Sequence, residues 1–312
     1  MREFKINFNK TLKPALIAYL AIFLVGIVVA VLMGVRLDIN FVGGAKISYS
    51  YVGELPDDSI KAEVDKVLDA DFSISKSTAL AGDTKTFEIV LSGKNSLSAE
   101  KQEALNKAFA AENFKDNKIT LYNSNSVSPS VAGTFFLKSL VAVLITAVLV
   151  VIYVGFRFRK IGGVSAALTA LVALVFDVLV TFFTCVIFRL QIDSNYIAVV
   201  LTMLGYSLND TIVVYDRIRE NEKLSPNTPI GDLVNLSVNK VLIRNIVTSL
   251  TTFLAVMTIV VVAEFYGLVS LRTFAIPMAF GLVSGGISSI FISAPLWVIW
   301  KNFKAKKKAK KA

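Results

Sequence analysis

Histidine is absent from this 312-residue sequence, and cysteine occurs once, at Cys185. A zinc site of the H-E-x-x-H type needs two histidines and a cysteine cluster needs several thiols, so the sequence excludes both. A single cysteine cannot form an intramolecular disulfide, and we interpret Cys185 as a small apolar residue. No G-x-x-x-x-G-K-[ST] loop is present, which excludes ATP hydrolysis through a P-loop of its own. We therefore expect a protein that is not an enzyme and that has no cofactor.

Charged residues are also scarce. They make up 18% of the chain, whereas 54% of the residues are hydrophobic and the mean hydropathy is +0.64. A bilayer core about 30 Å thick needs a helix of about 20 mostly apolar residues. Six segments meet this requirement: 14–34, 137–156, 162–190, 195–215, 241–263 and 274–300. The predicted fold class is a membrane α-helical protein with six transmembrane helices.

The first segment follows several basic residues and therefore also resembles a cleavable signal peptide. Its apolar run is longer than that of a typical signal peptide, and no small-x-small cleavage site follows it, so we interpret it as a retained span. The predicted divisions are an N-terminal segment 1–13, a first helix 14–35, a polar domain 36–135, helices two to six within 136–300, and a basic tail 301–312.

Lysine and arginine in the short connections predict the orientation. They cluster in the N-terminal segment, in the loops after the second and fourth spans, and in the tail. Since cytoplasmic loops carry this excess, both termini are predicted to be cytoplasmic. The net charge of +10 also allows a nucleic-acid partner. Its concentration beside the spans and in the tail favours anionic lipid headgroups instead, so we expect no nucleic acid.

The polar domain is predicted to be small, α+β and exported. Strand patterns at 46–52, 72–76, 86–91 and 118–123 alternate with helix patterns at 56–68 and 98–112. Ser98 is predicted to cap the second helix, and Gly82-Asp83 to form a turn. The order β-α-β-β-α-β is the ferredoxin-like pattern, with both helices on one face of an antiparallel sheet.

Three ionisable residues lie inside or at the edge of predicted spans: Asp177, Asp210 and Arg244. Such residues usually face protein, water or a counter-charge, because lipid rejects them. Tyr206, Ser207 and Asp210 share one face of the fourth span by helical spacing, with Thr211 beside them. Arg244, Thr248 and Thr252 share one face of the fifth. If these faces meet, they form a hydrated interface in which a carboxyl group can gain and lose a proton.

Each of these residues also has a purely structural interpretation. Arg244 could be an anchor that extends to lipid headgroups, and Asp177 a hydrogen-bonding residue of the bundle. In the sixth span, Gly281, Gly285-Gly286 and Ser288-Ser289 are more simply explained by close helix packing. These alternatives stay open at the level of residue patterns.

A longer motif resembles a known family. Residues 205–221, G-Y-S-L-N-D-T-I-V-V-Y-D-R-I-R-E-N, are similar to the signature of the SecF family, the smaller subunits of bacterial SecDF protein-export complexes. The N-F-V-G-G at 40–44, Arg244 with T-S-L-T-T at 248–252, and the segment from Ser288-Ser289 to Ala294-Pro295 support the resemblance.

The resemblance implies half of a resistance-nodulation-division-type bundle, paired with a homologous half from SecD. It maps the family's proton-linked Asp onto Asp210 and its Arg onto Arg244. We group with them the neighbouring polar residues as a proton pathway, and the glycines as a structural motif. The pathway residues are Asp210, Arg244, Asn209, Ser207, Thr248, Thr252 and Asp177, and the motif residues are Gly43, Gly44 and Gly205.

The chain departs from the family pattern at three places. Asn40 stands where an Asp is common, Phe176 where a His precedes the third-span Asp, and 127–133 replaces V-G-P-x-x-G. The loss of a titratable neighbour at Phe176 weakens the case for Asp177 in the proton path, whereas Gly43, Gly44, Asp210 and Arg244 match.

The resemblance also implies a function and a set of partners. We expect a subunit of the bacterial cytoplasmic membrane that uses the proton-motive force to assist preprotein translocation and release, with protons as coupling ion. Implied partners are SecD, the SecYEG channel, YajC, YidC, unfolded preprotein, and anionic lipids at the basic tail. The alternatives are a passive membrane scaffold and half of a lipid or drug exporter.

Overall fold

The computed structural model describes residues 6–68, 72–78, 85–92 and 99–309. Within these ranges the α-helices are α1 Leu12–Met33, α2 Ile39–Val42, α3 Asp57–Val67, α4 Ala99–Phe109, α5 Pro129–Arg157, α6 Gly163–Ile187, α7 Ser194–Leu224, α8 Ile230–Tyr266, α9 Val269–Ser288 and α10 Ala294–Ala309. A π-turn, Ser289–Ser293, joins α9 and α10, so the two helices form one span. Short 3₁₀ turns lie at Phe8–Lys10, Glu112–Asn117 and Arg159–Ile161.

Six helices in the described ranges are long and apolar enough to cross a membrane, as predicted: α1, α5, α6, α7, α8 and α9 with α10. Two of them extend well beyond the apolar windows. The fourth continues past residue 215 to Leu224, and the fifth begins at Ile230 instead of near 241. Hydropathy marks only the part of a helix that lipid can surround, whereas charged turns remain helical in water. The chain is a multi-pass membrane protein.

The polar domain contains four strands, β1 Gly44–Tyr51, β2 Phe72–Thr78, β3 Lys85–Ser92 and β4 Thr120–Val127. The sheet order is β2-β3-β1-β4, and each neighbouring pair is antiparallel. With α3 after β1 and α4 after β3, the predicted order of strands and helices is confirmed. The predicted turn at Gly82-Asp83 and the predicted cap at Ser98 lie outside the described residues.

One face of the sheet carries the core of the domain. Ile47 and Tyr49 alternate with polar residues along β1, and Phe87 lies opposite Tyr49 on β3 with the ring centroids 5.3 Å apart. Phe109 of α4 packs on both rings, and Ile60 of α3 is fully buried in the same cluster. The period of two along the strands therefore places both helices on this face.

The other face of the sheet looks toward the membrane helices. Lys46 and Glu88 form an ion pair of 2.8 Å on this face. A cleft of about 330 Å³ separates it from the membrane-domain surface, where Arg36, Arg189 and Thr273 line the opposite wall. We call this end of the helical bundle the domain side and the other end the far side.

The bundle is built around three spans. Half or more of the apolar window of α6, α7 and α9–α10 is buried inside the protein, against about a tenth for α1, α5 and α8. Cys185 is buried in α6, in agreement with its interpretation as a small apolar residue. The outer spans therefore present most of their surface to lipid or to another protein.

Backbone hydrogen bonds connect the domain to the α6–α7 loop. Asp38 N donates to Ile192 O at 3.0 Å, and Ile192 N donates to Arg36 O at 2.9 Å. Arg189 adopts a φ of +57° and donates from Nη1 to Gly34 O at 2.5 Å. Asp193 caps α7, and burial raises the pKa of its carboxyl group, although hydrogen bonds from Thr273 and Asn195 oppose this effect. The segment that enters the domain is thus held by the loop between two core spans.

Gly43 and Gly44 turn the chain from α2 into β1 with φ values of +78° and +128°. We expect Gly43→Ala to lower the stability of the protein by about 1–3 kcal/mol. The reasons are the positive φ and a Cβ atom that would lie 2.8 Å from Pro129 Cα. Thermal unfolding in detergent, followed by intrinsic fluorescence, measures the effect.

Two glycines serve as controls. Gly34 also has a positive φ, +68°, but a Cβ atom there meets nothing within 4 Å, so Gly34→Ala isolates the conformational cost. Gly133 lies within α5 with open space around it, and Gly133→Ala is expected to leave the melting temperature equal or higher. Equal melting temperatures for the Gly43 and Gly133 variants would contradict the prediction.

Candidate functional site

Asp177 lies at the centre of the bundle and is 1% exposed. Three serine hydroxyl groups donate to its carboxylate oxygens: Ser207 of α7 at 2.5 Å, Ser284 of α9 at 2.6 Å and Ser288 of α9 at 2.9 Å. One carboxyl group of α6 is therefore hydrogen-bonded to both other core spans. Helical spacing put Ser207 beside Asp210, but the structure directs its hydroxyl group to Asp177 instead.

Aromatic side chains of α1 and α6 cover Asp177 and its three serines on the side that faces α1. Tyr19 approaches Ser284, with its hydroxyl oxygen 3.1 Å from the carbonyl and 3.0 Å from Oγ. Phe176 packs edge-on against Tyr19, with ring centroids 5.2 Å apart, and also contacts Phe23. The position that carries His in the family pattern is therefore an apolar contact between α6 and α1 here.

Asp210 lies on α7 and is 2% exposed. Its carboxylate accepts one hydrogen bond, from Ser249 Oγ of α8 at 3.3 Å. Asp177 and Asp210 lie within electrostatic range of each other. Within the described residues, Asp177 thus has three hydroxyl donors, whereas Asp210 has a single, long hydrogen bond.

The predicted interface between α7 and α8 is present, but its contacts differ from the prediction. Tyr206 OH donates to Thr252 Oγ1 at 2.9 Å and approaches Thr248 O at 3.2 Å. The hydroxyl groups of Thr248 and Thr252 donate to backbone carbonyls of their own helix, at Arg244 and Thr248. Ser249, which the spacing argument did not select, makes the contact to Asp210. An i, i+4 pattern identifies a face but not which of its hydroxyl groups turns toward the neighbour.

Arg244 is exposed near the far side of α8. It lines a cleft of about 690 Å³ together with Asp216, Arg217 and Lys240. Among the ion pairs of the described residues there is none within 4 Å between Arg244 and Asp210, although its charge acts on that carboxyl group through space. The structure therefore places Arg244 between the predicted pathway and the far-side water, a position compatible with either predicted role.

Asn209 and Gly205 lie on the outer face of α7, and both are exposed. A Cβ atom built on Gly205 meets nothing within 4 Å in this chain. The small size of Gly205 is therefore not required by the packing of this chain alone.

The glycines of the sixth span confirm the packing interpretation. A Cβ atom on Gly285 would lie 3.0 Å from Ser207 Cβ, one on Gly286 would lie 2.7 Å from Ser249 Oγ, and one on Gly281 would lie 2.6 Å from Thr181 Cγ2. The serines that follow do more than pack, since Ser288 donates to Asp177. The i, i+4 spacing of Ser284 and Ser288 is visible in the sequence, but their partner Asp177 is not, and sequence reasoning therefore missed this role.

Among the residues that the structure describes, no group of three or more His, Cys, Asp and Glu side chains could hold a metal ion. The chemistry available at the site is that of carboxyl and hydroxyl groups, which bind and exchange protons.

A family model described as protein export membrane protein SecD/SecF, C-terminal, matches residues 107–303. The protein translocase subunit SecF of Alicyclobacillus acidocaldarius is 31% identical over 292 residues, which cover 92% of this chain and 90% of the relative. The protein translocase subunit SecDF of Bacillus subtilis is 31% identical, and the match covers 97% of this chain but only 39% of that longer protein.

Solved structures agree with these matches. The crystal structure of SecDF from Thermus thermophilus, described as a translocon-associated membrane protein, matches 96% of this chain with a TM-score of 0.80 and 29% identity. A crystal structure of SecDF in a super-membrane-facing form matches all of the chain with a TM-score of 0.67. The chain spans about two fifths of both SecDF chains, 39% and 41%. It belongs to the SecF family of protein translocase subunits.

Proposed function

We propose that this chain uses the proton-motive force to assist preprotein translocation and release on the outer side of the bacterial cytoplasmic membrane. The observation that carries the proposal is the pair of carboxyl groups, Asp177 and Asp210, which are buried at mid-bundle and contact hydroxyl groups, with no cation within 4 Å in the described part of the chain. An ionised carboxyl group in such a place is costly, whereas a protonated one is neutral. Binding or loss of a proton therefore changes which helix arrangement is favoured.

The driving force is sufficient for a conformational change. One charge that crosses about 100 mV gains about 2.3 kcal/mol, which shifts a two-state equilibrium by more than tenfold. The α6–α7 loop holds the entry to the α+β domain through Asp38 and Ile192, and both helices that meet at this loop carry one of the buried carboxyl groups. Proton-dependent movement of α6 against α7 would thus reach the domain directly.

A SecD subunit is the partner that we infer for the outer face of α7 and α8. Asn209 is exposed there, and lipid would reject its amide, which supports cover by another protein. Arg244 is exposed on the neighbouring α8, nearer the far side. This chain matches only about two fifths of each SecDF chain, so each of those chains has room for a second half at least as long as this one. Asn209, Thr248 and Thr252, with Gly205, would then line the region where the two halves meet, as related halves do in transporters with internal repeats. Ser207 is buried on the opposite side of α7 and would act there through Asp177.

Further partners follow from the family and from charge. We propose the SecYEG channel with YajC and YidC, and unfolded preprotein on the domain side. Anionic lipids would bind the basic end of α10, where Lys301 and Lys304 lie over Trp297 and Trp300.

The orientation and the domain class follow from charge and from strand order. Lysine and arginine cluster on the far side, which supports cytoplasmic termini and an exported domain. The strand order β2-β3-β1-β4 supports a ferredoxin-like classification of that domain.

Asp210→Asn is expected to abolish the stimulation of preprotein translocation by the proton-motive force in inner-membrane vesicles, since the amide cannot exchange a proton. Asp232→Asn is the matched control, because Asp232 is exposed in the first turn of α8 and its replacement removes the same charge without touching the interior. Full stimulation with Asp210→Asn at normal expression would refute the proposed mechanism.

Gly205→Leu is expected to disrupt assembly with the partner subunit while this chain still folds, because the added side chain extends into open space on the outer face. Gly133→Leu on α5 is the control, since Gly133 is also exposed and has nothing within 4 Å. Co-purification from detergent with mass identification of the partners measures the effect. Equal recovery of the partner with both variants would show that the face around Gly205 is not the interface.

A further inference from the structure

A second group of buried hydroxyl groups lies in the bundle, nearer the far side than Asp177. Tyr215 OH of α7 is 2.7 Å from Thr169 Oγ1 of α6 and 2.8 Å from Ser293 Oγ of the π-turn. Tyr215 and Ser293 are 0% exposed and Thr169 is 3% exposed. None of the roles proposed above uses these three residues.

Hydrogen bonds extend from Asp177 toward this group. Ser288, which donates to Asp177, and its neighbour Ser289 both contact the Gly285 carbonyl. Ser289 Oγ is 2.9 Å from Thr211 Oγ1 of α7. Hydroxyl groups of α7 and α9 therefore continue from Asp177 in the direction of the far side.

The separation between the two groups is one helical turn. Thr211 and Tyr215 are four residues apart on α7, and so are Ser289 and Ser293 along the π-turn. Four residues rise about 6 Å, a distance that one water molecule bridges between two hydroxyl groups. The π-turn also distinguishes this span, since such turns occur often at functional sites.

Trp297 provides an independent sign of polar surroundings at the far end. The side chain is 0% exposed, its ring lies 6.2 Å from that of Tyr215, and Nε1 has no hydrogen-bond partner among the described residues. Buried N–H groups almost always have a partner, and one without a protein acceptor indicates a water site. Trp297 lies one turn after Ser293, and Lys301, one turn further, reaches the surface at Gly162.

We propose that Thr211, Ser289, Ser293, Tyr215 and Thr169, with intervening water, form a proton path inside this chain between Asp177 and the far side. The inference deepens the proposed function and rests on it. A proton that leaves the Asp177 carboxyl group is accepted by Ser288 Oγ as the Ser288 hydroxyl group passes its own proton to a water molecule that bridges to Ser289 or Thr211, because the Gly285 carbonyl between the two serines accepts hydrogen bonds but cannot relay a proton. Each following hydroxyl group accepts one proton as it passes its own proton onward. The last proton enters far-side water, and reorientation restores the hydroxyl groups, so no bond other than O–H changes.

The path makes a prediction that a purely structural role does not. If the hydroxyl groups only hold α6, α7 and α10 together, their loss changes stability and not proton flux. If they conduct, Tyr215→Phe and Ser293→Ala lower flux although the aromatic ring and the helix packing stay in place. Ser293→Thr, which keeps the hydroxyl group, is expected to retain flux.

The test uses the native complex, purified through a tag on this chain and reconstituted into liposomes that contain a pH-sensitive dye. A pH gradient is imposed, and the rate of internal pH change is compared between variants of equal partner content and melting temperature. Tyr215→Phe and Ser293→Ala are expected to lower the rate about tenfold, less than the loss of a group at a reacting centre, because water replaces part of a hydroxyl path. Tyr196→Phe is the matched control, since Tyr196 is buried in the same helix and its hydroxyl group, which contacts the Val178 carbonyl at 3.5 Å and the Thr181 side chain, lies outside the proposed path.

Asp210→Asn separates the two possible failures. If Asp210→Asn abolishes flux while Tyr215→Phe and Ser293→Ala leave it unchanged, the internal path is wrong and the proposed function stands. If Asp210→Asn also leaves flux unchanged, the proposed function is wrong as well. Should Tyr215→Phe fail to assemble, the pair Ser293→Ala and Ser293→Thr decides, because equal flux for these two variants overturns the path.

Discussion

The three serine hydroxyl groups that surround Asp177 are the interaction on which the bundle depends. An ionised carboxyl group at 1% exposure would be very costly in an apolar core without hydrogen-bond donors. Ser207 from α7, and Ser284 and Ser288 from α9, supply them at 2.5–2.9 Å. These bonds connect the three spans that form the interior. Removing any one of the helices would leave either a buried carboxylate or several hydroxyl groups without partners.

Close helix approach makes this arrangement possible. Gly285 brings α9 against Ser207, and Gly281 brings it against α6 at Thr181. Lipid supplies no hydrophobic driving force between helices, so short separations and hydrogen bonds have to hold them together. The glycines and the serines of α9 therefore act together. The glycines allow α9 to approach α6 and α7 closely, and the hydroxyl groups of its serines and of Ser289 form hydrogen bonds with side chains of those two helices.

The same geometry explains how events in the interior could reach the α+β domain. Its first strand follows α1 through a short segment whose backbone pairs with the α6–α7 loop at Ile192. Asp193 then begins α7 as its N-cap. Because the loop is short and fixed at both ends, a shift of α6 against α7 would move the segment that enters the domain. Arg189, in a conformation that is strained for a residue with a side chain, adds a bond to Gly34 at the same point.

The sequence by itself determined the number of spans, the order of strands and helices in the domain, and the family. Each of these depends on local signals: runs of about 20 apolar residues, periods of two and of 3.6, and a contiguous motif. It also selected Asp177, Asp210 and Arg244 as residues that lipid rejects. Helix and strand ends were less exact, since charged turns of α7 and α8 remain helical beyond the apolar window.

Only the tertiary structure decided which of these polar groups meet. Spacing along a helix placed Ser207 with Asp210, and its hydroxyl group instead serves Asp177, 30 residues away in sequence. Ser284 is 107 residues from Asp177 and Ser293 is 78 from Tyr215, so no periodicity could pair them. Contacts between spans depend on how far each helix is rotated and how closely it approaches its neighbour, and the close approach is possible at Gly281, Gly285 and Gly286 because they have no side chain. A single sequence contains those glycines, but it does not state which helix lies against them.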